Sequence, residues 1–191
     1  MATLTSESSV VAGIDEAGRG SWAGPVVAAA VVLPRHFSAK GIRDSKLLTP
    51  LQRERLFAKI TSACPYAVGV VSNRTIDRIG IKAATQRAMR AALRHLPIRP
   101  TQLLIDGQDG FSFDVPSTSI IRGDQTVKCI SAASIVAKVY RDRLMVRLDR
   151  RYPAYGLAQN KGYGTAQHHA AILHEGPCAL HRMSFAPLRL G

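Results

Sequence analysis

Apolar and β-branched residues concentrate in five short runs bounded by Gly, Pro or polar residues. Runs of this length and composition are typical of strands in a buried sheet. They predict strands at Val10 to Ile14, Pro25 to Leu33, Tyr66 to Val71, Gln102 to Ile105 and Ser117 to Ile121.

Between these runs, apolar residues recur at helical spacing. The pattern predicts helices over Pro50 to about Ser62, Thr75 to Ile79, Lys82 to Leu96, Cys129 to about Arg150, and one near Thr165 within residues 160–176. Thr49 is the expected N-cap of the first helix, with Pro50 in its first position. Strands interleaved with helices indicate an α/β domain with a mixed sheet.

The chain of 191 residues is most economically a single domain over 1–191 with a core of its own. Residues 1 to about 9 are polar and expected to be flexible. After Tyr152 the composition shifts to Gly, His, Gln and Lys, so residues from about 152 to 191 are expected to form a C-terminal helical extension and not a second core.

The most informative stretch is residues 11–20, where a strand-like run meets two adjacent acids, Asp15 and Glu16. Gly18, Gly20 and Gly24 follow and predict a tight turn before the second strand. Two acids at the end of a buried strand are costly unless a positive partner meets them. Divalent metal ions are the partner that the rest of the sequence favours.

Two further strands each lead to an acid, Asp106 and Asp124. Strand ends in an open α/β sheet converge on one edge, so these acids can meet Asp15 and Glu16 in space. Oxygen ligands suit Mg²⁺ or Mn²⁺, and two such ions about 4 Å apart would suit hydrolysis of a phosphodiester. Taken singly, Asp106 before Gly107 is equally well explained as a turn residue, and Asp124 as a turn or capping residue.

The charge balance of the chain indicates a polyanionic partner. Lys and Arg number 26 against 13 Asp and Glu, a formal net charge of +13. A chain this basic commonly binds polyanions such as nucleic acid, although a basic surface kept for solubility is the alternative. Without catalysis, the same features would describe a nucleic-acid-binding module whose acids cap turns.

Other classes of protein are disfavoured by what the sequence lacks. No apolar stretch approaches the roughly 18 residues of a membrane span, and the first residues do not form a signal peptide, which favours the cytoplasm. The three cysteines show no C-x-x-C spacing and are expected to be reduced thiols. The six histidines lack zinc-site spacing, although one of them could shuttle protons. The glycine turn does not have dinucleotide-binding spacing.

Several motifs occur in order over about residues 10–188: Gly13-Ile-Asp-Glu-Ala-Gly-Arg-Gly20, Asp44-Ser-Lys46, Leu104-Ile-Asp-Gly107, Gly123-Asp124, Ser131-Ala-Ala-Ser-Ile-Val-Ala-Lys138, Lys161-Gly-Tyr163 and His181-Arg-Met-Ser-Phe-Ala-Pro187. Together they resemble bacterial ribonuclease HII. The resemblance implies a ribonuclease H-like fold with a mixed five-stranded sheet, flanking helices and a C-terminal helical extension. It also implies endonucleolytic cleavage of the RNA strand of RNA–DNA hybrids and cleavage 5′ of single ribonucleotides in duplex DNA, leaving 3′-hydroxyl and 5′-phosphate ends.

The resemblance also implies roles for particular residues. The metal-binding acids of the family match Asp15, Glu16, Asp106 and Asp124, which would hold Mn²⁺ or Mg²⁺. The junction-reading turn matches Gly18, Arg19 and Gly20, and the tyrosine that packs on the sugar beyond the junction matches Tyr163, which the residues alone would suggest to be a core aromatic. Lys46, Ser134, Lys138 and Arg182 are expected to hold the nucleic-acid backbone. A monomer is the expected state, and ribonucleotide and primer removal in DNA replication and repair is the expected role.

Overall fold

The computed structural model describes residues 9–188, and its centre is a five-stranded sheet with helices on both faces. The strands are β1 (Val11–Ala17), β2 (Val26–Val32), β3 (Tyr66–Val71), β4 (Gln102–Asp106) and β5 (Ser117–Ile120). The α-helices of the described residues are α1 (Pro50–Ala63), α2 (Asn73–Ile79), α3 (Ile81–His95), α4 (Gly123–Thr126), α5 (Lys128–Asp149), α6 (Leu157–Asn160) and α7 (Ala166–Glu175). The mixed α/β sheet predicted from the pattern is confirmed. Residues 1–8 of the segment expected to be flexible, and the last three residues of the C-terminal extension, lie outside the described residues.

The sheet has the strand order β3-β2-β1-β4-β5. β2 runs antiparallel to β1 and β3, whereas β4 is parallel to β1 and β5 is parallel to β4. The carboxyl ends of β1, β4 and β5 therefore lie at the same edge of the sheet. This edge is where the sequence places its acids.

β1 is longer than predicted and passes through both of its acids. Asp15, Glu16 and Ala17 continue the antiparallel ladder opposite Ala29, Ala28 and Val27, so the strand does not end at Ile14. Successive residues of a strand point to opposite faces of the sheet. Asp15 and Glu16 are consequently directed to different faces, although they are neighbours in the sequence.

The two faces of the sheet carry separate apolar cores. One core packs α3 against the sheet and includes Ile14, Ala28 and Met89. The other packs α5 and α1 against the opposite face and includes Ala29, Ile60 and Ile135. The Ala and Val residues of β2 are buried on both faces, because β2 lies inside the sheet with helices above and below.

α5 lies unusually close to β1. A Cβ atom placed on Gly13 would lie 2.1 Å from the carbonyl carbon of Cys129 and 2.5 Å from the backbone nitrogen of Ile130. Only glycine permits this approach. The first turns of α5 are thereby held against the strand that carries Asp15.

Helix boundaries follow local capping chemistry. Thr49 caps α1 as predicted: its Oγ1 accepts from the Gln52 amide at 3.3 Å, and the Gln52 side chain accepts from the Thr49 amide at 2.9 Å. α2 begins two residues earlier than predicted, because the Ser72 hydroxyl accepts from the Thr75 amide. The predicted bounds of α3 and α5 differ from the observed ones by a residue at each end.

The C-terminal extension packs on the far half of α5 and on the turn between β1 and β2. A small apolar cluster of Ala23, Met145, Tyr155 and Leu157 joins these parts, and Ala23 forms a β-bridge with His181. The extension therefore contacts the glycine turn directly. Between residues 9 and 188, no helix has the length and apolar character needed to cross a membrane.

Candidate active site

Three of the four predicted metal-binding acids meet at the shared edge of the sheet. Asp15 lies in β1, Asp106 ends β4, and Asp124 lies in α4 just beyond β5. One carboxylate oxygen from each lies within 4.8 Å of the others. Asp15 and Asp124 are buried, with 5% and 2% of their surface exposed. The interpretation of Asp106 and Asp124 as turn or capping residues alone does not account for this convergence.

Hydrogen bonds fix the positions of two of these carboxylates, those of Asp15 and Asp106. Asp15 accepts from the Glu16 amide at 2.7 Å, and the Ser134 hydroxyl of α5 lies near enough to lower the pKa of Asp15. Asp106 accepts from the Asp124 amide at 3.3 Å, which ties β4 to α4. Arg122 precedes α4 in the left-handed conformation (φ 54°), and this conformation turns the chain from β5 into the short helix. The site is therefore held in place before any ion binds.

The carboxylates destabilise one another's charge. Burial raises the pKa of Asp15 well above its usual range, and the neighbouring charges of Glu16 and Asp106 raise it further. Burial and the charge of Asp124 also raise the pKa of Asp106. A cation bound among these oxygens would remove the penalty, and a donor set made only of oxygens suits Mg²⁺ or Mn²⁺. The residues present thus fit a divalent metal ion.

Glu16 stands beside the group of three without being part of it. Arg19 donates to its Oε1 at 3.3 Å and to both carboxylate oxygens of Asp109. Burial raises the pKa of Glu16, whereas the positive charge of Arg19 opposes that rise. The structure thus brings together three of the four acids that the sequence predicts in one place. Glu16 lies on the other side of β1, where the charge of Asp106 still raises its pKa.

The predicted substrate turn and tyrosine lie on neighbouring loops. Gly18 is buried with a φ of +92°, Arg19 is half-buried, and Gly20 is exposed. Gly162, one residue before Tyr163, accepts hydrogen bonds from the amides of Trp22 and Ala23, so the two loops are joined through the backbone. Tyr163 is 37% exposed, so its ring is not enclosed in the core and part of it faces solvent.

The residues expected to hold phosphates lie between these parts. Lys46 extends into solvent, and its Nζ donates to Asp124 at 3.0 Å. Lys138 donates to Asp142 at 2.9 Å and lies 5.7 Å from the centre of the Tyr163 ring. Ser134 is buried, and its hydroxyl lies 3.0 Å from the hydroxyl of Ser45. The same hydroxyl lowers the pKa of Asp15. Lys46 and Lys138 remain reachable by a phosphate, whereas Ser134 acts first on Asp15.

The position of Arg182 contradicts one expectation from the sequence. It was expected to hold the nucleic-acid backbone, but it is fully buried and its guanidinium donates to carbonyl groups of the glycine turn. No side-chain atom of Arg182 is available to a phosphate. Arg182 therefore lies behind the glycine turn and not on its surface.

Some residues of the site were missed by sequence reasoning. Asp109, Arg141 and Ser21 carry no motif of their own, and each acts through the tertiary structure: Asp109 binds Arg19, and the Arg141 guanidinium binds Ser21. The Asp109-Gly110 pair reads as an ordinary turn, and Arg141 lies among other arginines of a helix. The sequence carries one indication of this role: Arg141 falls on the face of its helix that packs against the sheet.

Comparisons with known proteins identify the family of this chain. The family model described as ribonuclease HII matches residues 12–188. A ribonuclease HII from Nitratidesulfovibrio vulgaris is 52% identical over 94% of this chain and 87% of its own length, and one from Geobacter metallireducens is 51% identical over 92% and 83%. The crystal structure of ribonuclease H2 from Pyrococcus horikoshii superposes with a TM-score of 0.78 at 29% identity, covering 94% of this chain and 95% of that one. The chain therefore belongs to the ribonuclease HII family and is a metal-dependent endoribonuclease.

Proposed function

We propose that the protein cleaves the RNA strand of RNA–DNA hybrids, and cuts 5′ of single ribonucleotides in duplex DNA, at the site formed by Asp15, Glu16, Asp106 and Asp124. The products would be a 3′-hydroxyl and a 5′-phosphate. The observation that carries the proposal is the convergence of Asp15, Asp106 and Asp124 from separate strand ends within 4.8 Å. Membership of the ribonuclease HII family supplies the class of reaction.

The four acids would hold Mn²⁺ or Mg²⁺, with two ions during catalysis. Bound there, the ions would supply a nucleophile at neutral pH and stabilise the charge that develops at the phosphate. The chain itself keeps Asp15 oriented through Ser134 and keeps Asp106 oriented through the Asp124 amide. Lys46 donates to Asp124, and its ammonium group would be able to bind a phosphate instead if a metal ion neutralised that carboxylate.

Substrate selection would fall to the glycine turn, Gly18 to Gly20, and to Tyr163. A turn with an exposed glycine allows backbone groups to approach a ribose 2′-hydroxyl, which is the group that distinguishes RNA from DNA. The exposed ring of Tyr163 offers a surface on which the next sugar can pack. Lys46 and Lys138 would hold phosphates on either side of the scissile bond, with Ser134 supporting Asp15 and the phosphate beside it.

One experiment tests this function most directly. The protein is incubated with a DNA duplex that carries one ribonucleotide, beside an all-DNA duplex of the same sequence, in Mn²⁺ or Mg²⁺ and again in EDTA. We expect a single cut 5′ of the ribonucleotide that EDTA abolishes, and no cut in the control. Binding without cleavage in either metal would favour a nucleic-acid-binding module, and equal cutting of both duplexes would favour a nuclease of another specificity.

We also propose a monomer acting in the cytoplasm as one domain, with a role in removing ribonucleotides and RNA primers during DNA replication and repair. The excess of Lys and Arg over Asp and Glu supports a nucleic-acid partner. The packing of the extension on Ala23 and Met145 supports a single domain. Size-exclusion chromatography with light scattering would test the oligomeric state.

A further inference from the structure

Two buried arginines lie beneath the proposed substrate-binding surface. Arg141 of α5 and Arg182 of the C-terminal extension are both fully buried, and they are the largest side chains in that condition. Among residues 9–188, no carboxylate forms a salt bridge with either guanidinium. Burying an unpaired cation is costly unless its N–H groups are satisfied. The groups that satisfy these arginines therefore indicate what they do.

Arg182 binds the glycine turn at three carbonyl groups. Its Nη2 donates to the Gly18 oxygen at 2.7 Å, Nη1 to the Arg19 oxygen at 2.8 Å, and Nε to the Gly24 oxygen at 3.0 Å. The planar guanidinium presents its donors in a fixed fork, so three simultaneous bonds set the orientation of the turn as well as its position.

The orientation of these carbonyls decides where the amides of the turn point. In a planar trans peptide the C=O of one residue and the N–H of the next point in opposite directions. Because the Gly18 and Arg19 carbonyls face Arg182, the amides of Arg19 and Gly20 face away from it. Within the described chain neither amide has a hydrogen-bond acceptor, and Gly20 is exposed. Two adjacent donors are thus presented on the side where a substrate would lie.

Arg141 binds the same turn and also the loop that carries Tyr163. Its Nε donates to the Pro25 oxygen at 2.9 Å, Nη2 to the Ser21 hydroxyl at 2.7 Å, and Nη1 to the Lys161 oxygen at 2.9 Å. The guanidinium carbon also lies 5.5 Å from the centre of the Tyr163 ring. One cation therefore connects the two parts of the proposed substrate site.

Gly18 and Ser21 join the two arginine networks. The Ser21 hydroxyl accepts from Arg141 and donates to the Gly18 oxygen at 2.9 Å, the same oxygen that Arg182 binds. A Cβ atom on Gly18 would lie 2.0 Å from Nε of Arg141. Glycine is needed there both for the positive φ and to let Arg141 pass beneath the turn.

We propose that Arg141 and Arg182 are positioning residues: they fix the Gly18–Gly20 turn relative to Tyr163, and this spacing sets the selectivity for a lone RNA–DNA junction. The inference rests on the proposed function of the turn and of Tyr163. A lone ribonucleotide offers one 2′-hydroxyl in one place, so its cleavage requires that spacing. A long hybrid offers a 2′-hydroxyl at every register and tolerates a displaced turn better.

The test compares cleavage of a duplex carrying one ribonucleotide with cleavage of a long hybrid, for two variants. Arg182→Lys keeps the charge but loses the fork, and Ser21→Ala removes the link between the networks with little change in volume. We expect kcat/KM on the lone ribonucleotide to fall about tenfold or more in Arg182→Lys, and on the hybrid by less than about threefold. Ser21→Ala should show a smaller shift in the same direction.

Met89→Ala is the matched control. Met89 is fully buried on the α3 face of the sheet and does not contact the turn, so this variant lowers stability without moving the proposed site. Its ratio of activities on the two substrates should equal that of the wild type. Mn²⁺ binding measured by calorimetry without nucleic acid should be the same in Arg182→Lys and wild type, because Arg182 does not contact the carboxylates.

Salt dependence separates positioning from phosphate binding. If Arg182 contacted a phosphate, its loss would reduce the slope of log affinity against log salt by about one. We expect the slope of Arg182→Gln, which removes the charge, to match the wild type. A reduced slope, or equal losses on both substrates in Arg182→Lys and Ser21→Ala, would overturn the proposal. Should Arg182→Lys not fold, the substrate ratio of Ser21→Ala decides. Failure of the wild type to cut the lone ribonucleotide would instead refute the proposed function.

Discussion

At the scale of single residues, the site depends on a few side chains whose charges the fold leaves uncompensated. Asp15 is buried beside Glu16 and Asp106, and its pKa is raised mainly because burial disfavours the charged form. The functional importance of both acids could be predicted from the sequence, because two adjacent carboxylates in a buried strand are costly without a positive partner. Their separation onto two faces, and the Arg19–Asp109 contact beside Glu16, could not, because Asp109 lies 90 residues away from Arg19.

Asp106→Asn should abolish cleavage while leaving binding to a hybrid intact or tighter. Loss of a ligand should cost more than about 100-fold in rate, since loss of a partner that only orients a ligand already costs 10–100-fold. In EDTA the variant should melt no earlier than the wild type, because a neutral amide relieves the repulsion from Asp124. Cleavage and melting assays check this. Asp114→Asn, an exposed acid, serves as control, and full activity of Asp106→Asn would remove this residue from the mechanism.

Tyr163→Ala should reduce cutting at a lone ribonucleotide about tenfold with little change in melting temperature, since stacking on an aromatic ring contributes ~1–3 kcal/mol. The ring is 37% exposed, so its removal leaves no cavity in the core. Tyr163→Phe keeps the ring and should cut nearly as well as the wild type. Parallel losses of activity and melting temperature in Tyr163→Ala would instead assign the ring a structural role.

At the scale of elements, the close approach of α5 to β1 brings Ser134 near Asp15 in the candidate metal site. Gly13 permits the contact, and Ser134 one turn further along α5 reaches Asp15 because of it. The existence and type of most strands and helices follow from the spacing of apolar residues along the chain. Their ends follow from capping: Ser72 starts α2 earlier than the apolar pattern indicates, and pairing with β2 carries β1 past Ile14.

Gly13→Ala should lower the free energy of unfolding by about 1–3 kcal/mol or more, because the new methyl group overlaps the backbone of α5. Urea denaturation would measure the change. Mn²⁺ affinity should fall with it, since α5 must move away and take Ser134 from Asp15. Gly20→Ala is the matched control, as a Cβ there would meet no atom of residues 9–188 within 4 Å. Equal stability of the two variants would show that α5 is free to shift.

At the scale of the whole molecule, two buried histidines join separate parts of the C-terminal extension, from the segment at Cys178 through α7 to the loop of Tyr163. The Cys178 amide donates to Nδ1 of His181 at 2.9 Å, so the Nε2 of His181 carries the proton and donates to Nε2 of His168 at 3.1 Å. Nδ1 of His168 then donates to the Tyr163 carbonyl at 3.0 Å. Both rings must be neutral for this chain of bonds. Sequence reasoning took most histidines as ordinary residues and did not identify the pair.

Low pH should therefore reduce the stability that these two histidines give to the C-terminal extension. Burial, and secondly the charge of His168, lower the pKa of His181 to about 4, and burial lowers the pKa of His168. Both values lie below the roughly 6.5 of an unfolded histidine, so the unfolded chain binds more protons, and this part of the stability is lost as pH falls from about 6.5 towards 4. The raised pKa values of Asp15, Glu16 and Asp106 act in the opposite sense.

A comparison of variants separates the two contributions. Melting temperature is measured at about pH 7.5 and about pH 5 for the wild type and for His181→Gln. The variant should start lower and lose less on acidification, because its buried amide takes up no proton in this range. An identical loss in both proteins would show that His181 does not carry the acid sensitivity.

The sequence by itself determined the strands, most helices, the family and the identity of the acids, because apolar period, capping residues and local motifs act over a few neighbouring positions. Only the tertiary structure decided which groups meet. The parallel pairing of β1, β4 and β5 brings Asp15, Asp106 and Asp124 together, and burial turns Arg182 from an expected phosphate ligand into a support for the glycine turn. Such contacts join residues far apart in the chain, and their energies depend on burial that no local pattern encodes.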